Sequence, residues 1–424
     1  MPNSVAVIGM GYVGVPLAVE LVRGGLTVIG IEVDADKVAQ LRQARSYLLD
    51  VPDAVLRDCL DTGRFSASDT YEALAECDAA CICVPTPLSK SQDPDISYIV
   101  RAAEQLRNYL HPGMLIVLES TTYPGTTDEV VLPILEESGL KAGKDFFLAF
   151  SPERVDPGND RFGMRNTPKV VGGVTPACGQ KAQALYRHAV ENVVAVSNAR
   201  TAEMVKLLEN TFRAINIGLV NELAMICDKL GIDVWEVIEA AKTKPFGFMP
   251  FYPGPGLGGH CIPIDPLYLS WKLRQINYTA KFIELASAVN SSMPEYVVEK
   301  ITALLNDVEK SVKGSRILIL GVTYKKDVAD TRESPAIDIM SLLAHKGAIL
   351  SYADPYAATF EAPGVSLSAS DAAMEAAASD LVVVVTDHSA FDYPGILAHA
   401  TLVLDTRNVT ARFPAPGTCR VEKL

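Results

Sequence analysis

Short apolar runs alternate with a helical stretch at the start of the chain. Residues 4–8 and 27–32 are apolar runs, and the second is rich in β-branched residues. Between them, residues 13–22 show helical periodicity that ends at the glycines 24–25. This order predicts a β-α-β unit, in which the two strands are normally parallel.

The same alternation continues and then recurs near the carboxyl end. Further apolar runs that predict buried strands cover 79–84, 115–119, 146–150, 169–172 and 193–196. A second set of strands and helices covers 316–320, 337–346, 349–352, 371–378, 381–385 and 402–404. Each set predicts a doubly wound, Rossmann-like α/β domain.

A helical region separates the two sets. Residues 201–230 contain no proline and one glycine, Gly218, and apolar residues lie on nearly every face. Such a helix is expected to be buried between domains or subunits. We therefore predict an α/β protein with two Rossmann-like domains joined by a long central helix, divided as 1–198, 199–300 and 301–424.

Composition and charge disfavour several kinds of partner. Lysine and arginine number 38 against 51 acidic residues, a net charge of −13, which disfavours nucleic acid and anionic membranes as partners. No apolar run reaches the roughly 18 residues that span a bilayer, and residues 1–5 lack the basic start of a signal peptide. We expect a cytoplasmic protein without a membrane partner. The eight cysteines lack metal-ligand spacing, so no metal is expected.

The sequence GMGYVG, residues 9–14, follows the first strand and opens the first helix. Gly9 permits a tight turn, Gly11 lets a pyrophosphate approach the backbone, and Gly14 permits close packing of helix on strand. Glu32 ends the second strand, where a carboxylate binds a ribose diol and repels a 2′-phosphate. Lys37, one turn further on, can partly neutralise the cofactor. NAD is therefore expected rather than NADP.

The segment GPGLGGHCIPIDP, residues 254–266, places Cys261 at the end of a glycine-rich loop. Such a loop exposes backbone groups to a ligand and can hold an accessible thiol. A glycine-rich bend with an incidental cysteine is the alternative. The nearness of His260 in sequence does not establish a Cys–His pair, because such pairs are set in space.

Two further motifs carry charge. Lys206, Asn210 and Arg213 share one face of the central helix, where they would bind an anion or form a solvated stripe. Residues 321–335 form a charged strand-to-helix loop that contains Lys325 and Arg332. Cations on such a loop suit phosphates, although alone this is only a charged surface loop.

Together, these motifs resemble the UDP-glucose/GDP-mannose dehydrogenase family over essentially the whole chain. The matching pieces include residues 9–14, 83–87, 119–122, 151–154, 206–210, 254–266 and 325–332. Residues 243–249 resemble the branch that acts on UDP-N-acetylglucosamine.

The resemblance implies an NAD domain, a homodimer through the central helix, and a UDP-sugar-binding domain. It implies two hydride transfers that oxidise the C6 alcohol of the sugar to a carboxylate through a thiohemiacetal and a thioester on Cys261. The implied catalytic residues are Cys261, Lys206, Asn210, Glu153, Asp265 and Thr121, with Thr122 as an alternative to Thr121.

The resemblance also implies the binding residues. Those for NAD are Gly9, Gly11, Tyr12, Val13, Gly14, Glu32, Lys37, Pro85, Thr86, Thr121 and Arg332. Those for the UDP-sugar are Arg154, Val155, Lys206, Asn210, Arg213, Phe251, Tyr252, Gly258 and Lys325.

Three alternatives stay open. The sugar can be UDP-glucose, UDP-N-acetylgalactosamine or UDP-N-acetylmannosamine in place of UDP-N-acetylglucosamine. A two-electron β-hydroxyacid or 6-phosphogluconate type of dehydrogenase shares the first domain and the helix, but leaves the Cys261 loop unexplained. A non-catalytic nucleotide-binding module is the third.

Overall fold

The computed structural model describes residues 2–48, 51–89, 93–156, 159, 161–259 and 261–424. It contains two compact units, and each is made of two chain segments. The first comprises 1–209 and 267–279, and the second comprises 210–266 and 280–424. The predicted three-domain division is not tested by these units and stays a prediction.

An eight-stranded sheet forms the centre of the first unit. Its strands are β1 (Ser4–Ile8), β2 (Thr27–Ile31), β3 (Phe65–Ser68), β4 (Ala79–Ile82), β5 (Leu115–Leu118), β6 (Phe147–Phe150), β7 (Lys169–Gly173) and β8 (Val193–Ala195). Their order is β3-β2-β1-β4-β5-β6-β7-β8, and the β6–β7 pair is antiparallel while the other pairs are parallel. The first six strands follow the order of a dinucleotide-binding Rossmann sheet.

Helices cover this sheet, and strands such as β4 and β5 are consequently buried along their whole length. The helices are α1 (Gly14–Arg23), α2 (Ala35–Arg42), α3 (Asp53–Asp61), α4 (Ser97–Arg107), α5 (Leu132–Glu136) and α6 (Pro176–Tyr186). A 3₁₀ turn covers Glu72–Glu76, and a π-helical turn covers Thr126–Val131. The predicted strands of this unit are confirmed to within two residues at their ends.

The central helix and its neighbours follow. They are α7 (Ala199–Leu230), α8 (Val234–Lys242), α9 (Asp265–Arg274) and α10 (Lys281–Asp307). The predicted long helix is confirmed, while its expected burial between domains or subunits stays a prediction. Six large apolar side chains of α7 are exposed, namely Met204, Leu208, Phe212, Leu219, Ile226 and Leu230.

A five-stranded parallel sheet forms the centre of the second unit. The strands after α10 are β9 (Arg316–Leu320), β10 (Ile349–Ala353), β11 (Thr359–Ala362), β12 (Val365–Ser368), β13 (Leu381–Val384), β14 (Leu402–Asp405) and β15 (Arg420–Lys423). The sheet order is β10-β9-β13-β14-β15, while β11 and β12 form a separate antiparallel hairpin. The helices are α11 (Pro335–His345), α12 (Ala372–Ala378) and α13 (Tyr393–His399), with a 3₁₀ turn at Val409–Ala411. This is the second doubly wound sheet that the sequence predicts.

A buried amide pair joins α7 to α10 within the second unit. Asn221 Nδ2 donates to Asn290 Oδ1 at 2.9 Å, and Asn290 Nδ2 donates to the Ala214 carbonyl at 3.0 Å. Asn221 Oδ1 accepts the Gly254 N–H at 3.0 Å. Because buried amides need partners, this pair also fixes the start of the glycine-rich loop.

Among the described residues, none of the helices combines the length and the apolar character that a membrane crossing requires.

Candidate functional site

The three glycines of the first turn are needed for three different reasons. Gly9 has φ +91°, and a Cβ there would lie 2.7 Å from the Cys83 carbonyl oxygen. A Cβ on Gly14 would lie 1.9 Å from the Gly9 oxygen, so α1 could not approach β1. A Cβ on Gly11 would meet no heavy atom within 4 Å. The turn therefore leaves open space for a pyrophosphate at the N-terminus of α1.

Glu32 lies beside this turn. Its Oε2 accepts the Met10 N–H at 3.1 Å, and its Oε1 accepts the Asp34 N–H at 3.2 Å. Lys37 lies on α2 with its Nζ 3.9 Å from the Asp34 carboxylate. The carboxylate of Glu32 is thus fixed at the carboxyl end of β2, where a ribose diol binds in such sheets.

The other residues expected to bind NAD lie on loops of the first unit, except Arg332. Tyr12 is 52% exposed, and Val13 precedes α1. Pro85 and Thr86 follow β4, and the Tyr268 hydroxyl donates to the Thr86 carbonyl at 2.8 Å. Arg332 is an exposed residue of the second unit.

The loop after β5 distinguishes the two candidate threonines. Thr121 is half-buried, whereas Thr122 is fully buried and its hydroxyl pairs with the Thr126 hydroxyl at 2.6 Å. Glu203 of α7 fixes this loop from the other side. It accepts the Gly125 N–H at 2.6 Å and the Thr127 N–H at 2.9 Å. Burial raises the pKa of Glu203 to about 7 against these hydrogen bonds. The sequence analysis missed Glu203 because its partners lie 76 and 78 residues away.

Glu153 lies on the loop after β6. Its Oε1 accepts the N–H groups of Arg154 at 2.8 Å and Val155 at 2.6 Å. Lys206 of α7 donates from Nζ to the Glu153 backbone carbonyl at 2.8 Å. The helix and this loop are therefore joined at the residue expected to activate water.

Arg154 is also joined to α7. Its Nη2 and Nε donate to the two oxygens of Glu209 at 2.6 and 3.2 Å, and its Nη1 donates to the Pro168 carbonyl at 2.6 Å. A forked contact of this kind orients a guanidinium firmly. The expected role of Arg154 in substrate binding stays a prediction.

Cys261 differs from the other cysteines. All eight are described, and seven are buried while Cys261 is exposed. Its carbonyl accepts the Asp265 N–H at 2.8 Å, which leads the chain into α9. Asp265 is 3% exposed and accepts from Asn210 Nδ2 at 2.5 Å. His260 lies outside the described residues.

Arg213 does not share the environment of Lys206 and Asn210. The latter two are 8% and 7% exposed, but Arg213 is exposed. The helical face that these three residues share is therefore covered by described residues at Lys206 and Asn210 and exposed at Arg213, while the choice between an anion site and a solvated stripe stays a prediction.

The glycine-rich loop packs closely against the loop after β9. A Cβ on Gly258 would lie 2.7 Å from the Glu333 carbonyl oxygen, and one on Gly259 would lie 2.7 Å from the Tyr324 ring. Lys325 follows on the same loop and is half-buried. Arg332 pairs with Asp330, with 2.7 Å between Nη2 and Oδ2.

Phe251 and Tyr252, expected to contact substrate, lie just before the glycines. The Phe251 ring lies 5.7 Å from the Phe212 ring. Tyr252 is 41% exposed and donates to Glu239 Oε1 at 2.6 Å. Both therefore lie beside the helical segments α7 and α8.

The carboxyl edge of the second sheet contains further groups that the sequence analysis missed. Asp354, after β10, accepts the Val322 N–H at 2.7 Å and lies 3.0 Å from His388 Nε2. Arg407, after β14, donates from Nε to the Val385 carbonyl at 2.8 Å, and burial lowers its pKa. Ligands of doubly wound sheets bind at this edge, where the strand order reverses between β9 and β13.

Comparison with known proteins identifies these elements. Domains of the UDP-glucose/GDP-mannose dehydrogenase family match this chain in order: the NAD binding domain at 3–190, the central domain at 200–292 and the UDP binding domain at 318–412. NAD is therefore the cofactor, as expected, and the open turn at Gly11 fits it.

Individual relatives agree with this match. UDP-N-acetyl-D-glucosamine 6-dehydrogenase of Pseudomonas aeruginosa is 37% identical over 85% of this chain and 84% of its own. UDP-N-acetyl-D-mannosamine dehydrogenase of Methanocaldococcus jannaschii is 36% identical over 97% of this chain and 93% of its own. The structure of UDP-D-ManNAc dehydrogenase from Pyrococcus horikoshii has a TM-score of 0.90 at 31% identity, covering 99% of this chain and 98% of its own.

The glycine geometry makes a prediction that separates binding from folding. Gly11→Ala should weaken NAD binding at least about tenfold but change the free energy of unfolding by less than about 0.5 kcal/mol, because its Cβ points into open space. Gly14→Ala should lower the free energy of unfolding by several kcal/mol, because its Cβ meets backbone. Calorimetric titration with NAD and denaturant unfolding measure the two effects.

Gly163→Ala is the matched control, since a Cβ there also meets nothing within 4 Å but the residue lies outside the turn. It should leave both quantities unchanged. Equal NAD affinity in Gly11→Ala and Gly163→Ala would contradict the assignment of the pyrophosphate position.

Proposed function

Because the chain belongs to the UDP-glucose/GDP-mannose dehydrogenase family, we propose that it oxidises the C6 alcohol of a UDP-sugar to a carboxylate with two NAD per sugar. By family it is an NAD-dependent nucleotide-sugar dehydrogenase. The proposal adds the four-electron stoichiometry, the covalent route and the roles of individual residues.

One observation carries the covalent route. Cys261 is exposed while the other seven cysteines are buried, and it ends a glycine loop held by Asn221. A thiol with this accessibility can attack an aldehyde, whereas a buried thiol cannot. The route therefore assigns the nucleophile to Cys261.

The steps balance as follows. The C6 alcohol loses a hydride and a proton to become an aldehyde. The Cys261 sulfur then bonds to the aldehyde carbon, the carbonyl π bond opens and its oxygen takes up the thiol proton, which gives a thiohemiacetal. Loss of a second hydride and proton gives a thioester. Water then forms a new C–O bond, the C–S bond breaks, and Cys261 leaves as a thiolate. NAD, when bound, accepts the hydride in each oxidation.

The polar side chains of α7 serve the charged intermediates. Lys206 and Asn210 are nearly buried donors, and we assign them to the oxyanion that develops on the C6 oxygen. Asp265 accepts from Asn210 and so orients its amide. Lys206 also serves in proton transfer from the alcohol.

Glu153 and Thr121 act on the hydrolytic water. Glu153 accepts its proton, and Thr121 holds its oxygen. We choose Thr121 over Thr122 because the Thr122 hydroxyl is fully buried and bonded to Thr126.

The binding roles are proposed on the expected residues. NAD contacts Gly9, Gly11, Tyr12, Val13, Gly14, Glu32, Lys37, Pro85, Thr86, Thr121 and Arg332. The UDP-sugar contacts Arg154, Val155, Lys206, Asn210, Arg213, Phe251, Tyr252, Gly258 and Lys325. The edge of the second sheet at β9 supports the assignment of Lys325 to the diphosphate.

We propose UDP-N-acetylglucosamine as the sugar nucleotide, supported by the segment 243–249 and by the named activity of the Pseudomonas relative. UDP-N-acetylmannosamine is the second candidate, because relatives that carry this name are 36% identical over up to 97% of the chain. The two sugars differ only in configuration at C2. The cytoplasmic location stays a prediction.

The first test is a substrate panel with cofactor stoichiometry. Purified enzyme should form two NADH per UDP-N-acetylglucosamine consumed, with no aldehyde released, because the thiohemiacetal retains the intermediate. Absorbance of NADH and chromatography of the sugar nucleotide measure the ratio. Cys261→Ser should lose full turnover at least about 10³-fold.

Cys419→Ser is the control, since Cys419 is buried near the carboxyl end, and it should keep wild-type turnover. One NADH per sugar would favour the two-electron dehydrogenase, and no NADH with any UDP-sugar would favour the non-catalytic module. Acid formed by Cys261→Ser at the normal rate would contradict the covalent route.

We also propose that the chain forms a homodimer through α7. Phe212, Leu219 and Ile226 are exposed and spaced seven residues apart, so they share one face of a helix about 48 Å long. A row of exposed apolar side chains of this kind suits a two-fold contact with a second copy of the same helix.

The dimer proposal predicts a mass. Wild type should have about twice the 45.6 kDa of the chain in light scattering at micromolar concentration. Leu219→Arg combined with Ile226→Arg should give the single-chain mass, because paired charges would face each other across the contact. Met374→Arg, at a side chain that is 75% exposed on α12, should leave the mass unchanged. A wild-type monomer would contradict the proposal.

A further inference from the structure

A buried chain of charges lies behind Glu153 in the first unit. Lys169, the first residue of β7, is 4% exposed. Its Nζ lies 2.5 Å from Glu119 Oε2 and 3.6 Å from Glu153 Oε2. The buried Tyr186 hydroxyl donates to the other oxygen of Glu119. These four side chains come from separate parts of the chain, and the proposed chemistry uses only Glu153.

The two oxygens of Glu153 have different surroundings. Oε1 accepts the N–H groups of Arg154 and Val155. Oε2 is buried, and no described residue donates a hydrogen bond to it. The Lys169 ammonium stabilises the charge on this oxygen at 3.6 Å without satisfying it as an acceptor. A buried acceptor left open in this way is suited to receive a proton.

Removing the charge of Lys169, Glu119 or Glu153 changes the electrostatic environment of the other two side chains. Two carboxyl groups, Glu119 and Glu153, face the one ammonium of Lys169 and compete for its charge. Burial raises the pKa of Glu119 although Lys169 opposes it. Burial opposes the charge of Lys169, but the two carboxylates outweigh it and raise its pKa.

Other groups also face Glu153. Cys83, at the end of β4, is buried, and burial raises the pKa of its thiol well above the ordinary value. Lys206 of α7 bonds to the Glu153 backbone, and the Arg154 side chain is engaged by Glu209. The cation that directly faces the carboxylate is therefore Lys169.

We propose that Lys169 is a positioning residue that keeps Glu153 anionic as the base of the hydrolytic step, and that Glu119 sets the strength of this effect. The inference rests on the proposed function, because it assigns Glu153 to the water that attacks the thioester. Lys169 is buried and does not need to contact the substrate. It acts through the charge it presents to Glu153 Oε2.

Two substitutions should therefore shift the acid limb of the pH dependence of hydrolysis in opposite directions. Lys169→Met removes the cation that lies 3.6 Å from the Glu153 carboxylate, so the acid limb of hydrolysis moves up by about 1–3 pH units. Glu119→Gln removes the competing carboxylate, so the acid limb moves to lower pH. Lys169→Arg restores a cation and should return the limb toward the wild-type midpoint. A merely structural role would not produce shifts of opposite sign.

The experiment is a single-turnover reaction with enzyme in excess over UDP-N-acetylglucosamine and NAD in excess over both, run at pH values between 5 and 9 and quenched in acid. Intact-protein mass gives the decay of the acyl-enzyme, and NADH absorbance gives the oxidation steps in the same samples. Lys141→Met is the control, because Lys141 forms an exposed ion pair with Glu136 on the same unit. This substitution should leave the rate of oxidation, the rate of acyl-enzyme decay and the pH midpoint of that decay unchanged.

The outcomes separate the inference from the proposed function. Opposite shifts in Lys169→Met and Glu119→Gln support the role of Lys169. If the acyl-enzyme forms but the pH midpoint of its decay is unshifted in both variants, or shifts in the same direction in both, the proposed role of Lys169 is wrong. The covalent route is unaffected by that result. If no enzyme, wild type included, forms an acyl-enzyme, the proposed function fails and the inference fails with it. If Lys169→Met does not fold, the shift in Glu119→Gln alone decides.

Discussion

The inward polar side chains of α7 are the constraint on which the candidate site depends. A long helix with inward polar groups must satisfy most of them, and here five of its side chains bond to a loop or to the first residue of a helix within their own unit. The pairs are Glu203 with the Gly125 turn, Lys206 with the Glu153 carbonyl, Glu209 with Arg154, Asn210 with Asp265, and Asn221 with Gly254. Segments without regular hydrogen bonding of their own are thus positioned by one rigid element.

This arrangement supports loops that carry proposed catalytic residues. Glu153 and Cys261 belong to segments with little secondary structure, which would be mobile without support. Support from a helix supplies the fixed positions that the oxyanion and water chemistry proposed for these residues requires. The opposite face of α7 carries exposed apolar residues instead, and the proposed homodimer contact rests on that face.

Local patterns in the sequence predicted the two Rossmann-like sheets, the turn at Gly9, the central helix and the accessible loop at Cys261. These patterns did not predict β3 or the β11–β12 hairpin, because their strands have only four residues each. Pro294 lies inside α10, although proline commonly ends a helix. The spacing of Lys206 and Asn210 indicated a shared face, but nothing local could show that this face opens at Arg213. Glu203, Lys169 and Glu119 were missed because their partners are set by the sheet and not by nearby sequence.

Peptide mapping of the reacting enzyme tests the central claim of a covalent thiol most directly. Enzyme mixed with NAD and UDP-N-acetylglucosamine, quenched in acid during NADH formation, should carry one sugar-nucleotide acyl group on the peptide that contains Cys261. Hydroxylamine should remove it, as expected for a thioester, and the peptides of the seven buried cysteines should be unmodified. Steady formation of the acid with no adduct at any quench time, or an adduct on another residue, would contradict the account.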